Sequence, residues 1–248
     1  MYDAGRYTSF AYYYDLLMKD VDYNKWCDYV LRSIEGLKID HTDILEMACG
    51  TGAMSVLLSK KGYDVTAFDI SEDMLAVASN KALDSGAKVN FLHQDMRDIK
   101  IHDRFGTILC LCDSMNYITD DNDLRKIFKW VFDHLKENGA FIFDINSSYK
   151  LKNIIGNNIF TYNEDDIVYI WENTLNDKCV EFSLTFFVKE NKLYRRFDEF
   201  HIERIYEEEE IRALLKDAGF KYIKSYDGIS FNDVLPRSER ITFLLKKL

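Results

Sequence analysis

Nowhere does the 248-residue chain hold the roughly 20 consecutive apolar residues that a membrane-spanning helix needs. Its opening, Met1-Tyr2-Asp3-Ala4-Gly5-Arg6, lacks the basic-then-apolar order of a secretory signal. Internal repeats and low-complexity linkers are also missing. The cysteines are few and odd in number: Cys27, Cys49, Cys110, Cys112 and Cys179, without the spacing of a disulfide framework. Free thiols and a reducing, cytoplasmic location are the expectation. Cys110 and Cys112 form a C-x-C pair, but no second Cys or His pair completes a zinc site. Within Ile108-Leu109-Cys110-Leu111-Cys112 they read as two small apolar residues on one face of a buried strand. Positive charge is in deficit: 32 Lys and Arg face 42 Asp and Glu, a formal net charge of −10. That balance opposes association with phosphate backbones and anionic lipid, so neither nucleic acid nor membrane is expected as a partner.

What is present is ample apolar material, 47% hydrophobic and 15% aromatic residues. One α/β core with embellishments is the expectation for this length. Residues 10–18 and 23–34 read as two helices, the second with Trp26, Tyr29, Val30 and Ile34 at helical spacing. From 43 onward short apolar strands (44–48, 64–69, 89–92, 107–112, 140–144) alternate with helical stretches, the signature of a parallel doubly wound sheet. Ser71 is a good N-cap, with Glu72 and Asp73 in the positive first turn. The helix over 121–136 carries Leu124, Ile127, Phe128, Val131 and Leu135 on one stripe. The rhythm breaks over 149–205, where Val180, Phe182, Leu184, Phe186 and Val188 alternate with mostly polar neighbours. This predicts an antiparallel insert of three or four strands. Helical spacing returns at Glu207–Glu210, and 220–226 and 241–245 supply the last strands. The expected division is a helical segment over 1–40, a core over 41–148 and 206–248, and the insert over 149–205.

The strongest chemical signal is Glu46-Met47-Ala48-Cys49-Gly50-Thr51-Gly52, which follows a strand and opens a helix. Glycines there let a ligand approach the backbone. Two details argue against a dinucleotide. The third glycine position of G-x-G-x-x-G is Ser55, and Glu46 would repel pyrophosphate while suiting a ligand with ammonium and sulfonium charges. Asp69 ends the second strand, where an acid can accept from both ribose hydroxyls. Asp95 follows the third, where it can accept from an adenine amino group. Ligands of open α/β sheets bind along that carboxyl edge.

Those residues carry a resemblance. Glu46-x-x-Cys49-Gly50-Thr51-Gly52, Phe68-Asp69-Ile70-Ser71-x-x-Met74-Leu75 and Gln94-Asp95-Met96 resemble the S-adenosylmethionine (SAM) motifs of class I methyltransferases. The opening, Tyr7-x-x-Phe10-Ala11-x-x-Tyr14-Asp15-x-Leu17-Met18, is similar to a small-molecule subgroup that includes amino-sugar and glycine N-methyltransferases. The stretch from His201-Ile202-Glu203-Arg204 to Ala218-Gly219-Phe220 is similar too. The resemblance implies an α/β fold with a Rossmann-like seven-stranded, mostly parallel sheet, helices on both faces, an N-terminal helical lid and an antiparallel β insert. It implies SAM as cofactor and S-adenosylhomocysteine as product. Glu46, Ala48, Gly50 and Gly52 would line the methionine part; Asp69 and Ile70 would bracket the ribose and one adenine face; Asp95 and Met96 would hold the adenine, and Met74 would also bind the cofactor. Tyr14 would close over the cofactor.

The fourth strand ends in Cys112-Asp113-Ser114-Met115-Asn116-Tyr117, which the resemblance places beside the transferable methyl. Asp113, Asn116 and Tyr117 are acceptor-site candidates, and Asp113, Tyr117 and Tyr14 the catalytic ones. The N-P-P-aromatic motif of nucleic-acid amino methyltransferases is absent. Asp144-x-Asn146 departs from the adjacent Asp-Asn pair of magnesium-dependent catechol methyltransferases, so no metal is expected. A small-molecule acceptor with a reacting nitrogen is favoured, because no His lies in the strand-end motifs and an amine needs only to be neutral. His201 reads as a strand-surface residue. A protein acceptor docked on the insert and a non-catalytic SAM- or NAD-binding module are the alternatives. The expected state is a monomer or homodimer.

Overall fold

The computed structural model describes residues 10–164 and 166–248. Tyr7 and the opening hexapeptide lie outside the described residues. Two helices come first, α1 (Phe10–Leu17) and α2 (Tyr23–Gly36). The core follows as β1 (Asp43–Met47), α3 (Ala53–Lys60), β2 (Asp64–Asp69), α4 (Glu72–Ser85), β3 (Val89–His93), β4 (Phe105–Cys110), α5 (Asp121–His134) and β5 (Leu135–Asn146). After a single π-helical turn at Lys150–Ile155, four strands form the insert: β6 (Ile159–Glu164), β7 (Ile167–Leu175), β8 (Cys179–Glu190) and β9 (Leu193–Arg204). The chain closes with α6 (Glu208–Ala218), β10 (Tyr222–Asp227) and β11 (Arg240–Lys246).

The core is a seven-stranded sheet in the order β10-β11-β5-β4-β1-β2-β3, in which β11 alone runs against the other strands. Strand order reverses between β1 and β4, which opens a crevice at their carboxyl ends. Period-2 alternation splits the apolar side chains between two faces. Leu45, Met47, Ile108, Phe141, Phe143 and Phe243 pack against α5 and α6. Ile44, Val65, Leu109, Ile142 and Leu244 pack against α2 and α3. The insert is a separate antiparallel sheet, β6-β7-β8-β9. Its inward Phe186 and Val188 share an apolar cluster with Phe10, Ala11 and Met74, so α1 lies between insert and core.

Local chemistry sets the boundaries. Ser71 accepts from the Met74 N–H and caps α4, as predicted. Gly219 ends α6 at φ 118. The predicted 121–136 helix stops at His134, because Asn138 turns left-handed (φ 61) and the chain already pairs as β5 from Leu135. The C-x-C reading is corrected. β4 ends at Cys110, Cys112 turns left-handed (φ 57), and the two thiols pack into clusters on opposite faces.

Candidate cofactor and acceptor site

The loop after β1 is a cradle. Ala48, Gly50 and Gly52 all have positive φ (53, 54 and 69), and the Gly52 N–H closes the turn on the Cys49 carbonyl. A Cβ on Gly52 would meet the Ala78 Cβ at 2.8 Å, so no side chain fits. At Gly50 a Cβ would meet nothing within 4 Å: the backbone there borders open space. Beneath the loop Glu46 is buried and accepts from the Ser55 hydroxyl. Burial, aided by the charge of Asp69, pushes its carboxyl up to about 7. The residue that breaks the dinucleotide glycine pattern, Ser55, is thus the partner of that carboxyl.

Asp69 accepts from the N–H groups of Gly50 (2.8 Å) and Ser71 (2.9 Å), and burial raises its carboxyl. A carboxylate has about four lone-pair sites, so these donors leave acceptor capacity free. Ile70, half exposed after β2, offers an apolar face at the rim. Asp95 is gripped by the Arg97 side chain and backbone N–H (2.8–2.9 Å), which hold it below the ordinary carboxylate range; Met96 packs partly into the core. Met74 is buried against Phe10 and Ala11 in the contact between α4 and α1. Tyr14 sits in that cluster, edge-on to Phe10 and hydrogen-bonded to Tyr23.

The candidate acceptor side is built from side chains far apart in sequence. Because β11 is antiparallel, its first residue, Arg240, reaches the carboxyl edge opposite Asn146. Arg240 pairs with Asp113 (2.7 Å) and with the fully buried Asp144, which in turn accepts from the Asp113 N–H. Burial raises the Asp144 carboxyl, and the two acids raise the guanidinium. Cys112 and Asp113 are consecutive left-handed residues (φ 57 and 55), a strained conformation that sets Asp113 at the edge. Asn146 donates to Glu203 of β9 (2.8 Å) and accepts from Lys150 (2.9 Å). Asn116 is fully buried and locks this corner by accepting from the Asn146 N–H and donating to the Arg204 carbonyl. Tyr117 is partly exposed, edge-on to the His201 ring at 5.8 Å. Among the described residues no three His, Cys, Asp or Glu are grouped to hold a metal ion.

The structure brings Glu46, Ala48, Gly50, Gly52 and Asp69 together, and separately Asp113, Asn116 and Tyr117. Sequence reasoning missed four residues. Asp15 accepts from Thr51 in the glycine loop (2.6 Å) and from Lys81 (3.0 Å), tying α1 to the cradle. Arg240 carried no local signal. Glu203 and His201 did, in the alternation of their strand; His201 is buried, not on the strand surface as predicted.

This sheet order, glycine cradle and row of acids define the class I methyltransferases. A model of the methyltransferase domain matches residues 44–139. A protein of Geobacillus sp. (strain WCH70) assigned to the methyltransferases is 36% identical, over 97% of this chain and 99% of its own. The crystal structure of a SAM-dependent methyltransferase from Clostridium acetobutylicum ATCC 824 superposes with TM-score 0.91 at 42% identity, covering 97% of this chain and 98% of that one. The chain belongs to the SAM-dependent methyltransferases, which sets aside the non-catalytic and NAD readings. The sugar N-methyltransferase KedS8 from Streptoalloteichus sp. (TM-score 0.79, 19% identity, 94% and 92% covered) shares the fold.

Proposed function

We propose that this enzyme methylates the nitrogen of a small-molecule amine beneath a roof formed by α1 and the insert. Bound SAM supplies the methyl as a sulfonium. Glu46 would hold its ammonium, the cradle its methionine chain and Asp69 its ribose. The protein's own task is then to position the acceptor and exclude water, which in favourable intramolecular models contributes roughly 7–11 kcal/mol. The observation carrying the reading is the proposed acceptor wall: among the described residues, three carboxyl groups, Asp113, Asp144 and Glu203, stand against two cations, Arg240 and Lys150. An ammonium-bearing acceptor completes that balance. The roof is supported by the contacts of α1 with Thr51 and Lys81 on one side and Phe186 on the other.

A second reading, transfer to a hydroxyl, has one observation in its favour. His201 lies against Tyr117, where an imidazole can act as general base. Methyl-labelled SAM incubated with a metabolite extract and a proteome extract separates the cases. Label on a metabolite nitrogen is expected; label on oxygen favours His201 as base, and label in protein removes the small-molecule reading.

A further inference from the structure

β8 and β9 pair with Val180 opposite Glu203, Phe182 opposite His201, Leu184 opposite Glu199 and Phe186 opposite Phe197, so these side chains share the inward face of the insert. On β8 that face is apolar throughout, as a half-buried strand demands. On β9 the pattern inverts. Glu199, His201 and Glu203 point inward and are buried, His201 5% and Glu203 2% exposed. Phe200, 41% exposed, and Ile202 point outward. A one-residue slip of β9 would bury Phe200 and Ile202 instead, so pairing holds the strand in a register its own hydrophobicity opposes. The strip faces the carboxyl edge: Glu203 is bonded to Asn146, and the His201 ring lies 5.8 Å from Tyr117 and 6.0 Å from Phe10. Alternate residues of a strand are about 7 Å apart, so the strip spans about 13 Å, the length of a small metabolite.

We propose that this inward strip recognises the methyl acceptor: Glu203 receives the ammonium group to be methylated, and His201 and Glu199 bind further polar groups of the same molecule. The proposal rests on the amine reading above and adds the substrate class, a cationic amine bearing other hydrogen-bonding groups. The Glu203 carboxylate takes a proton from the ammonium. The freed nitrogen lone pair forms a bond to the methyl carbon as the carbon–sulfur bond breaks. That bond's electron pair stays on sulfur, leaving a neutral thioether and a methylated ammonium, and the proton on Glu203 passes to solvent after release. Burial and the charge of Asp113 push the Glu203 carboxyl well above its ordinary range, which suits a group taking a proton from an amine.

Glu203→Gln keeps an oxygen for the Asn146 amide to bond and removes the charge. Wild type, Glu203→Gln and His201→Gln are compared on the metabolite labelled from extract by methyl-labelled SAM, with SAM affinity and melting temperature as checks on folding. Glu203→Gln is expected to bind SAM as before, to raise the acceptor KM, and to lose roughly 10²–10⁴-fold in kcat/KM at neutral pH. Its rate should then climb about tenfold per pH unit toward the amine's own pKa, because only free amine reacts. His201→Gln is expected to raise KM with little change in kcat. An amine product with equal KM and superimposable pH profiles in all three proteins overturns the strip and leaves N-methylation standing. Label on oxygen or on protein overturns both.

Discussion

On the cofactor side of the carboxyl edge, Asp69 is held by the backbone N–H groups of Gly50 and Ser71, and Glu46 by Ser55 nine residues on. On the proposed acceptor side, Asp113 is held by Arg240, 127 residues later, and Asn146 by Glu203, 57 residues later. One half is closed by loop geometry and short-range contacts. The other is closed by side chains that only the finished sheet and insert bring together. The first arrangement would suit an unvarying cofactor. The second can be rebuilt by changing side chains without touching the cradle.

Arg240→Met is the hardest test of that separation. It strands the fully buried Asp144 without its cation, which costs about 3–5 kcal/mol. At the roughly 2–4 °C per kcal/mol of a chain this size, melting should fall by roughly 10 °C. SAM affinity measured on the still-folded variant should not change; a matching loss of SAM binding would show that the halves are not independent. Asp69→Ala works from the other side. It should weaken SAM by about 1–3 kcal/mol in calorimetry, since its donors lose their partner, and leave acceptor KM unchanged at saturating SAM.

Glu46 sharpens the comparison through pH. Its carboxyl is raised from the ordinary 4.5 to about 7 in the folded protein. The group therefore favours the fold fully below about 4.5, and that contribution is lost as pH rises through about 7. In the proposed site the ammonium of SAM calls for the charged form. Binding should expel a proton below neutrality, and affinity should fall by up to about tenfold per pH unit below 7. Calorimetry in buffers of different ionisation enthalpy checks this, and Glu46→Gln should flatten the slope. The smallest effect is at α1. Asp15→Ala removes the bonds to Thr51 and Lys81, each worth about 1 kcal/mol at most in this partly exposed setting. Hydrogen exchange over residues 10–18 should quicken in the variant and slow in the wild type when SAM binds. Identical exchange in all states would reduce α1 to packing.

The same division governs what the sequence made legible. Cradle, strand-end acids, caps and the alternation of β8 are local patterns, and each was readable from neighbours in the chain. The departure of Ser55 from the glycine pattern was visible as well, though not its bond to Glu46. Arg240 was invisible because its meaning depends on an antiparallel last strand whose register no short window encodes. The inverted alternation at Glu199-Phe200-His201-Ile202-Glu203 was in plain view, yet reads as a surface strand until the facing partner is known. Cys110 and Cys112 misled because the strand stops between them.

The position of β11 also orders events in time. The hydrogen bonds that close the cradle are complete by residue 81, whereas the proposed acceptor wall waits for Arg240. Closing short loops is fast and closing long ones is slow, and domains take shape as the chain emerges during synthesis. A nascent chain can therefore form its glycine turn while the ion pair that neutralises Asp113 and Asp144 is still being translated. Until then two acids stand unpaired at the growing sheet's edge, and the last strand delivers both their counter-charge and the edge's completion in one step.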